Sequence, residues 1–254
     1  MSVDGLAPVR RGPGSPPPGN GETHVWVFSL DVGHPVLEAL HALLSPDEIG
    51  RAERLRDPRE RARFVAGRGQ LRQVIGDCLG QLPGSVRFKY SPLGKPSLAD
   101  DAVAARLRFS PSGSDALGVV AVRGDAEIGV DVERVHAIPD IAALARRMLG
   151  ADEHKEYAKI PKSRRETRFF EYWVRKEASA KALGSGLRQG FYRLKIHPWP
   201  GDGPFQVDCV SDETRATTWV VGVPMPVAGY TAALAATQPI GPVLTAWWDP
   251  LAPD

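Results

Sequence analysis

The chain has 254 residues, 43% of them hydrophobic and 24% charged, enough for one large domain or two small ones in an ordinary globular protein. Its net charge of +2 removes any general electrostatic case for binding nucleic acid or a membrane, so an anion site has to be local. Two cysteines, Cys78 and Cys209, allow at most one disulfide, exclude a thiolate cage for zinc and fit a reducing cytoplasm.

In chain order, the opening MSVDGLAPVRRGPGSPPPGNGE is too rich in proline and glycine to bury apolar surface, and a flexible tail is predicted over residues 1–22. It lacks the apolar core of a signal peptide, and no apolar run elsewhere reaches bilayer length; neither export nor membrane insertion is expected. HVWVFSLDV, from His24, alternates as a strand does. Ser45-Pro46-Asp47-Glu48 then supplies a cap serine, a proline at the first helical position and the glutamate that closes a capping box. Asp57-Pro58-Arg59-Glu60 repeats the device. It opens a helix in which Phe64, Leu71, Val74, Ile75 and Leu79 keep near-helical spacing, with arginines on the other face.

After Pro83 short strands and turns are expected: VRFKY, the loop SPLGKPSLADD, RLRFS, ALGVVAV, then IGVDVERV beyond the turn at Gly124-Asp125. Two helices follow, roughly Ile138 to Leu149 and Glu166 to Leu183. FQVDCV, TTWVVGV and YTAALAA read as strands before a proline-rich end. A helix-then-strands order occurs twice, which hints at two related halves, and the whole reads as α+β.

Two acids in IGVDVERV raise a chemical question. Ile128, Val130 and Val132 point one way, so Asp131 and Glu133 share the other face, roughly 6.6 Å apart. A solvated polar face explains such a pair; so does a hard cation, since magnesium takes oxygen ligands from one or two carboxylates and from substrate phosphates. Glu177 is the candidate third carboxylate. Trp173, Glu177 and Lys181 follow at i, i+4 on one helix face, where a surface Glu-Lys pair would contribute about 0.2–0.5 kcal/mol. Against a surface pair stand Phe169, Phe170 and Trp173, which should bury the helix, and Gly184, placed to cap it.

Other motifs fail. GSGLRQG has the wrong glycine spacing for a dinucleotide fingerprint, and PLGKP has proline where a P-loop needs Ser or Thr. The six histidines show no zinc spacing, and there is no G-x-S-x-G elbow.

IGVDVE followed by WVRKEASAKALGSGL resembles the paired signature of the 4′-phosphopantetheinyl transferases, and the likeness is closest to the larger, monomeric class typified by the enzyme that activates surfactin synthetase. LLSPDEIGRAERL, ARFVAGRGQLRQVI, LGKPSL and RFSPSGSDALGVVAV extend it, in order, to about residues 24–236. The resemblance implies two similar α+β halves, residues 23–122 and 123–254, with the active site in the cleft between them. It implies transfer of the phosphopantetheine arm of coenzyme A to a serine of an apo acyl or peptidyl carrier protein, releasing adenosine 3′,5′-bisphosphate. By position, Asp131, Glu133 and Glu177 resemble the family's Mg2+ ligands, Glu177 also its base and Lys181 the partner of its leaving group. Lys176 would lie by the diphosphate, and Arg51, Arg63, Lys95 and Ser110 match nucleotide-contacting or basic positions. One departure stands out: Pro111 replaces a histidine that in the family holds the 3′-phosphate, and proline donates nothing. Two other readings are a coenzyme A-binding or carrier-docking protein without transfer activity and a magnesium-dependent nucleotide hydrolase.

Overall fold

Strand β1 (Thr23–Ser29) is buried along nearly its whole length, because its two faces serve two different cores. Trp26 and Phe28 turn one way, towards Leu71, Val74 and Ile75 of the long helix α3 (Pro58–Leu79). Val25 and Val27 turn the other way, into a cluster shared with Ile128, Val130 and Val132 of β6 (Ile128–Arg134). The period-2 alternation thus feeds a core on either side of the strand. The structure is a computed structural model and describes residues 18–184, 194–196, 205–210 and 215–250.

Between β1 and α3 lie helices α1 (His34–His41) and α2 (Pro46–Glu53). Beyond α3 come the short strands β2 (Phe88–Tyr90) and β3 (Pro96–Leu98), which pair as a hairpin, and helix α4 (Asp101–Ala104). Strands β4 (Arg108–Ser114) and β5 (Leu117–Arg123) follow, then β6, α5 (Ile141–Met148), α6 (Ala151–Ala158) and α7 (Arg165–Leu183). The described remainder is strand: β7 (Leu194–Lys195), β8 (Phe205–Val210), β9 (Arg215–Val223), β10 (Tyr230–Ala236) and β11 (Val243–Trp247).

One sheet runs β11-β1-β5-β4 and a second runs β6-β10-β9-β8-β7. Their inner faces share the aliphatic cluster of Val25, Val27, Val130 and Leu234. Helix α3 covers the outer face of the first sheet; α7 covers the second through Phe169, Phe170, Val174 and Ala178. Each sheet therefore carries one long helix, as expected of an α+β chain with a repeated helix-and-strands order.

Local signals hold at several places. Ser45 and Glu48 close the reciprocal capping box of α2. Asp57 caps α3 through the Arg59 N–H alone, and Glu60, expected to complete a second box, instead lines a cavity. Four departures follow from tertiary contacts. The proline-rich end contains β11, which pairs in parallel with β1 from Thr23↔Val243 to Val27↔Trp247, so the expected half 123–254 returns its last strand to the first sheet. The loop SPLGKPSLADD contains β3, and α4 begins at its last residue. Helices α1 and α6 interrupt segments read as connections, and the helix expected from Ile138 begins at Ile141, capped by Asp140 in a left-handed conformation. Finally, residues 1–17 of the predicted tail lie outside the described residues, whereas Pro18 is buried and the Gly21 N–H donates to Asp125. No helix among the described residues is long and apolar enough to cross a membrane.

Candidate active site

The site begins with a glycine. In β6, Gly129 shares its face with Asp131 and Glu133, and α7 crosses that face in direct contact. A Cβ on Gly129 would collide with the Ala178 carbonyl and lie 2.6 Å from the Ala182 nitrogen and 2.8 Å from Lys181 Cβ. Only a residue without a side chain lets the helix backbone come this near. The crossing brings Lys181, one turn before the left-handed cap at Gly184, over Asp131.

Lys181 Nζ donates to Asp131 Oδ1 at 2.7 Å, to Ser112 Oγ at 2.9 Å and to the Val130 carbonyl at 3.1 Å, which uses all three of its protons. Ser112 in turn donates to Asp131 Oδ1 at 2.8 Å. Asp131 is 5% exposed, and its second oxygen, Oδ2, is buried without a hydrogen-bond partner among the described residues. Burial pushes its carboxyl above the usual carboxylate range, against the pull of Lys181 and Ser112.

Glu133 accepts from Ser114 Oγ at 2.6 Å, and burial raises its carboxyl too. Ser110, Ser112 and Ser114 alternate along β4 and all reach across to β6; Ser110 and Ser114 accept the N–H groups of Val130 and Arg134. These hydroxyls join the edges of the two sheets where no backbone ladder does. Glu177, one helical turn before Lys181, is half-buried. Its carboxyl is pushed up to about 7, first by burial and then by the nearby charge of Asp131, with Glu133 adding to the effect.

A cavity of about 770 Å³ opens where β4, α3 and α7 meet, and Glu177, Lys181, Ser110, Arg63 and Lys95 line it together. Arg63 is held by Asp31 at 2.6 Å and Asp115 at 2.8 Å; Lys95 pairs with Glu127 at 2.9 Å. Pro111 forms part of the same wall, on the edge strand β4, the kind of strand that tolerates a proline. Arg51 stands just outside the lining, its guanidinium 5.2 Å from the centroid of the Tyr90 ring. Arg68, which motif reading missed, does line the cavity. Its only sequence signal is its place one turn after Phe64 on α3, whose ring its guanidinium faces.

Lys176, expected beside a diphosphate, does not line the cavity. It is 1% exposed and pairs with the equally buried Glu153 at 2.5 Å, which also accepts the Ile196 N–H at 2.7 Å. The reason is helical geometry: Lys176 precedes Glu177 by one residue, so about 100° of rotation carries it away from the face of Glu177 and Lys181.

For a hard cation the donor set fits in kind: three carboxylates whose proton affinities burial raises, one of them with a buried oxygen that has no hydrogen-bond partner among the described residues. Yet no three His, Cys, Asp or Glu side chains among the described residues form a ready-made metal cluster, and Lys181 sits on Asp131 instead. Such a site would be completed by a phosphate ligand, as is usual for magnesium.

Residues 127–235, which include β6 and α7, match the profile of the family described as the 4′-phosphopantetheinyl transferase superfamily. The chain is 40% identical over 166 residues to the 4′-phosphopantetheinyl transferase HetI of Nostoc sp., covering 65% of this chain and 70% of that protein. It is 29% identical over 154 residues to the 4′-phosphopantetheinyl transferase psf-1 of Bacillus pumilus, covering 61% of this chain and 64% of that one. A mouse L-aminoadipate-semialdehyde dehydrogenase-phosphopantetheinyl transferase is 26% identical over 189 residues, 69% of this chain and 60% of the relative. An acid pair on β6 lies under an acid and a lysine on α7, at the edge of a cation-lined cavity and within the matched segment; the chain belongs to the 4′-phosphopantetheinyl transferase superfamily.

Proposed function

We propose that the chain transfers the phosphopantetheine arm of coenzyme A to a serine of an apo acyl or peptidyl carrier protein, with Mg2+ as cofactor and adenosine 3′,5′-bisphosphate as the second product. The observation that carries this reading is the convergence of Glu177 and Lys181 on one wall of a cavity whose other walls bear Arg63, Arg68 and Lys95. A cavity of that size suits a nucleotide-sized ligand, and its cations suit a polyanion.

Asp131, Glu133 and Glu177 are the residues that would hold magnesium, and the cation would supply neutralisation of the diphosphate. The remaining chemistry falls to the chain's own groups. Glu177, with a proton affinity near neutrality, is suited to take the proton from the carrier serine as its oxygen attacks the β-phosphorus. The bond from that phosphorus to the oxygen bridging it to the α-phosphate then breaks, and the bisphosphate leaves carrying the new negative charge. The Lys181 ammonium stands at the cavity edge to offset that charge, exchanging its contact with Asp131 for one with phosphate.

The test is to incubate the protein with magnesium, coenzyme A and an apo carrier protein and to weigh the carrier. A gain of one phosphopantetheine that chelation of the metal abolishes is the expected result. No gain on several unrelated carriers overturns the proposal, and retained coenzyme A binding in that case would select the reading as a binding protein.

A further inference from the structure

Two of the β4 serines are locked onto the acid pair of β6. A hydroxyl has one proton to give, so its direction is fixed once a neighbour that can only donate has engaged its lone pair. Ser112 accepts from the Lys181 ammonium at 2.9 Å, and its own proton goes to Asp131 Oδ1 at 2.8 Å. Ser114 accepts the Arg134 N–H at 3.1 Å, and its proton goes to Glu133 Oε2 at 2.6 Å. Steps of two along β4 thus match steps of two along β6, 112 with 131 and 114 with 133.

Each serine takes one oxygen of its carboxylate. In Asp131 the other, Oδ2, is buried without a hydrogen-bond partner among the described residues. A carboxylate held through one oxygen presents the second in a fixed direction, and magnesium, which demands near-octahedral geometry, is sensitive to that direction. Ser112 has a further part to play. In the proposed reaction Lys181 exchanges Asp131 for a phosphate, and the serine keeps hold of Oδ1 through that exchange. The strand itself does not depend on the hydroxyls: Val130 and Val132, on either side of Asp131, pack into the aliphatic cluster with Val119 and Ala121 of β5.

We infer that Ser112 and Ser114 are positioning residues that aim Asp131 and Glu133 at the cation and so set how tightly magnesium is held. The assignment rests on the magnesium reading of the proposed function. It is distinct from nucleotide contact, because Ser112 lines the cavity whereas Ser114 stands outside it. A role in gripping the nucleotide would fall on Ser112 alone; a role in aiming carboxylates falls on both.

The experiment titrates Mg2+ calorimetrically into protein saturated with coenzyme A, without carrier, for wild type, Ser112→Ala, Ser114→Ala and the two Ser→Thr variants. The magnesium dependence of transfer and the Tm of each variant are measured alongside. Each alanine variant should weaken magnesium binding about tenfold to a hundredfold and raise the magnesium concentration for half-maximal activity to match. At saturating magnesium kcat should return to within a few-fold of wild type, with KM for coenzyme A unchanged, and the threonine variants, which keep the hydroxyl, should recover much of the affinity. Unchanged magnesium affinity in both alanine variants overturns the assignment. So does a loss of kcat that no magnesium concentration restores, or threonine variants no better than alanine, since either points to a purely structural seam. Wild-type protein that binds no magnesium with coenzyme A present would overturn the metal reading itself, and the assignment with it.

Discussion

Asp131 is a buried carboxylate bonded through one oxygen and bare on the other, with the ammonium of Lys181 beside it. Removing either it or Glu177 takes charge from the centre of the site without opening the core. Asp131→Ala and Glu177→Gln should therefore each lower kcat/KM by about 10²–10⁴ while Tm stays within a few degrees; carrier modification assays beside thermal melts check both. At the cavity's outer edge Asp31 behaves differently. Hydrogen bonding from Arg63 holds its carboxyl down to about 2, below an unfolded value of about 3.9. The stability it contributes is thus complete above about pH 4 and is lost as pH falls towards 2. Asp31→Asn should flatten that part of the Tm-against-pH curve, and because Asp31 is 41% exposed its cost at neutral pH should stay below about 1 kcal/mol. The acid pair, the Glu177–Lys181 spacing and the Pro111 departure were legible residue by residue. Arg68 was not, because only the fold reveals which of many arginines line the cavity.

Among elements, the contact of α7 with β6 decides whether the site exists. Gly129→Ala would force the Ala178–Ala182 turn outward, and overpacking of this kind costs about 1–3 kcal/mol. Moving Lys181 away from Asp131 should also cut activity far more than the stability loss explains; urea denaturation beside kinetics separates the two effects. Helix α2 offers a graded comparison. Ser45→Ala removes one cap bond, at about 1 kcal/mol, whereas Glu48→Ala also strips the buried Arg72 of its ion partner, at about 3–5 kcal/mol. The capping box was readable because it is a local pattern. The partnership with Arg72, 24 residues on, was not.

The whole molecule is closed by its C-terminal strand. β11 lies at the far edge of the first sheet, and the Trp248 ring just beyond it packs edge-on against Trp26 at 5.5 Å. Deleting residues 243–254 would bare β1 along one side and uncover Trp26. Such a truncation should lower Tm by roughly 10 °C or more, or abolish soluble expression, even though the deleted segment lies outside the family match at 127–235. Circular dichroism melts of the truncated chain provide the measurement.

By itself the sequence determined the α+β class, the alternation that places Asp131 and Glu133 on one strand face and the helical spacing that aligns Glu177 with Lys181. These are periods of 2 and 3.6, set by backbone geometry within a few residues. The tertiary structure alone decided that the two faces meet at Gly129, that serines of β4 join the two sheets, that Lys176 is spent on Glu153 and that the last strand returns to the first. Each of those outcomes depends on which distant surfaces pack together, and no local period encodes that choice.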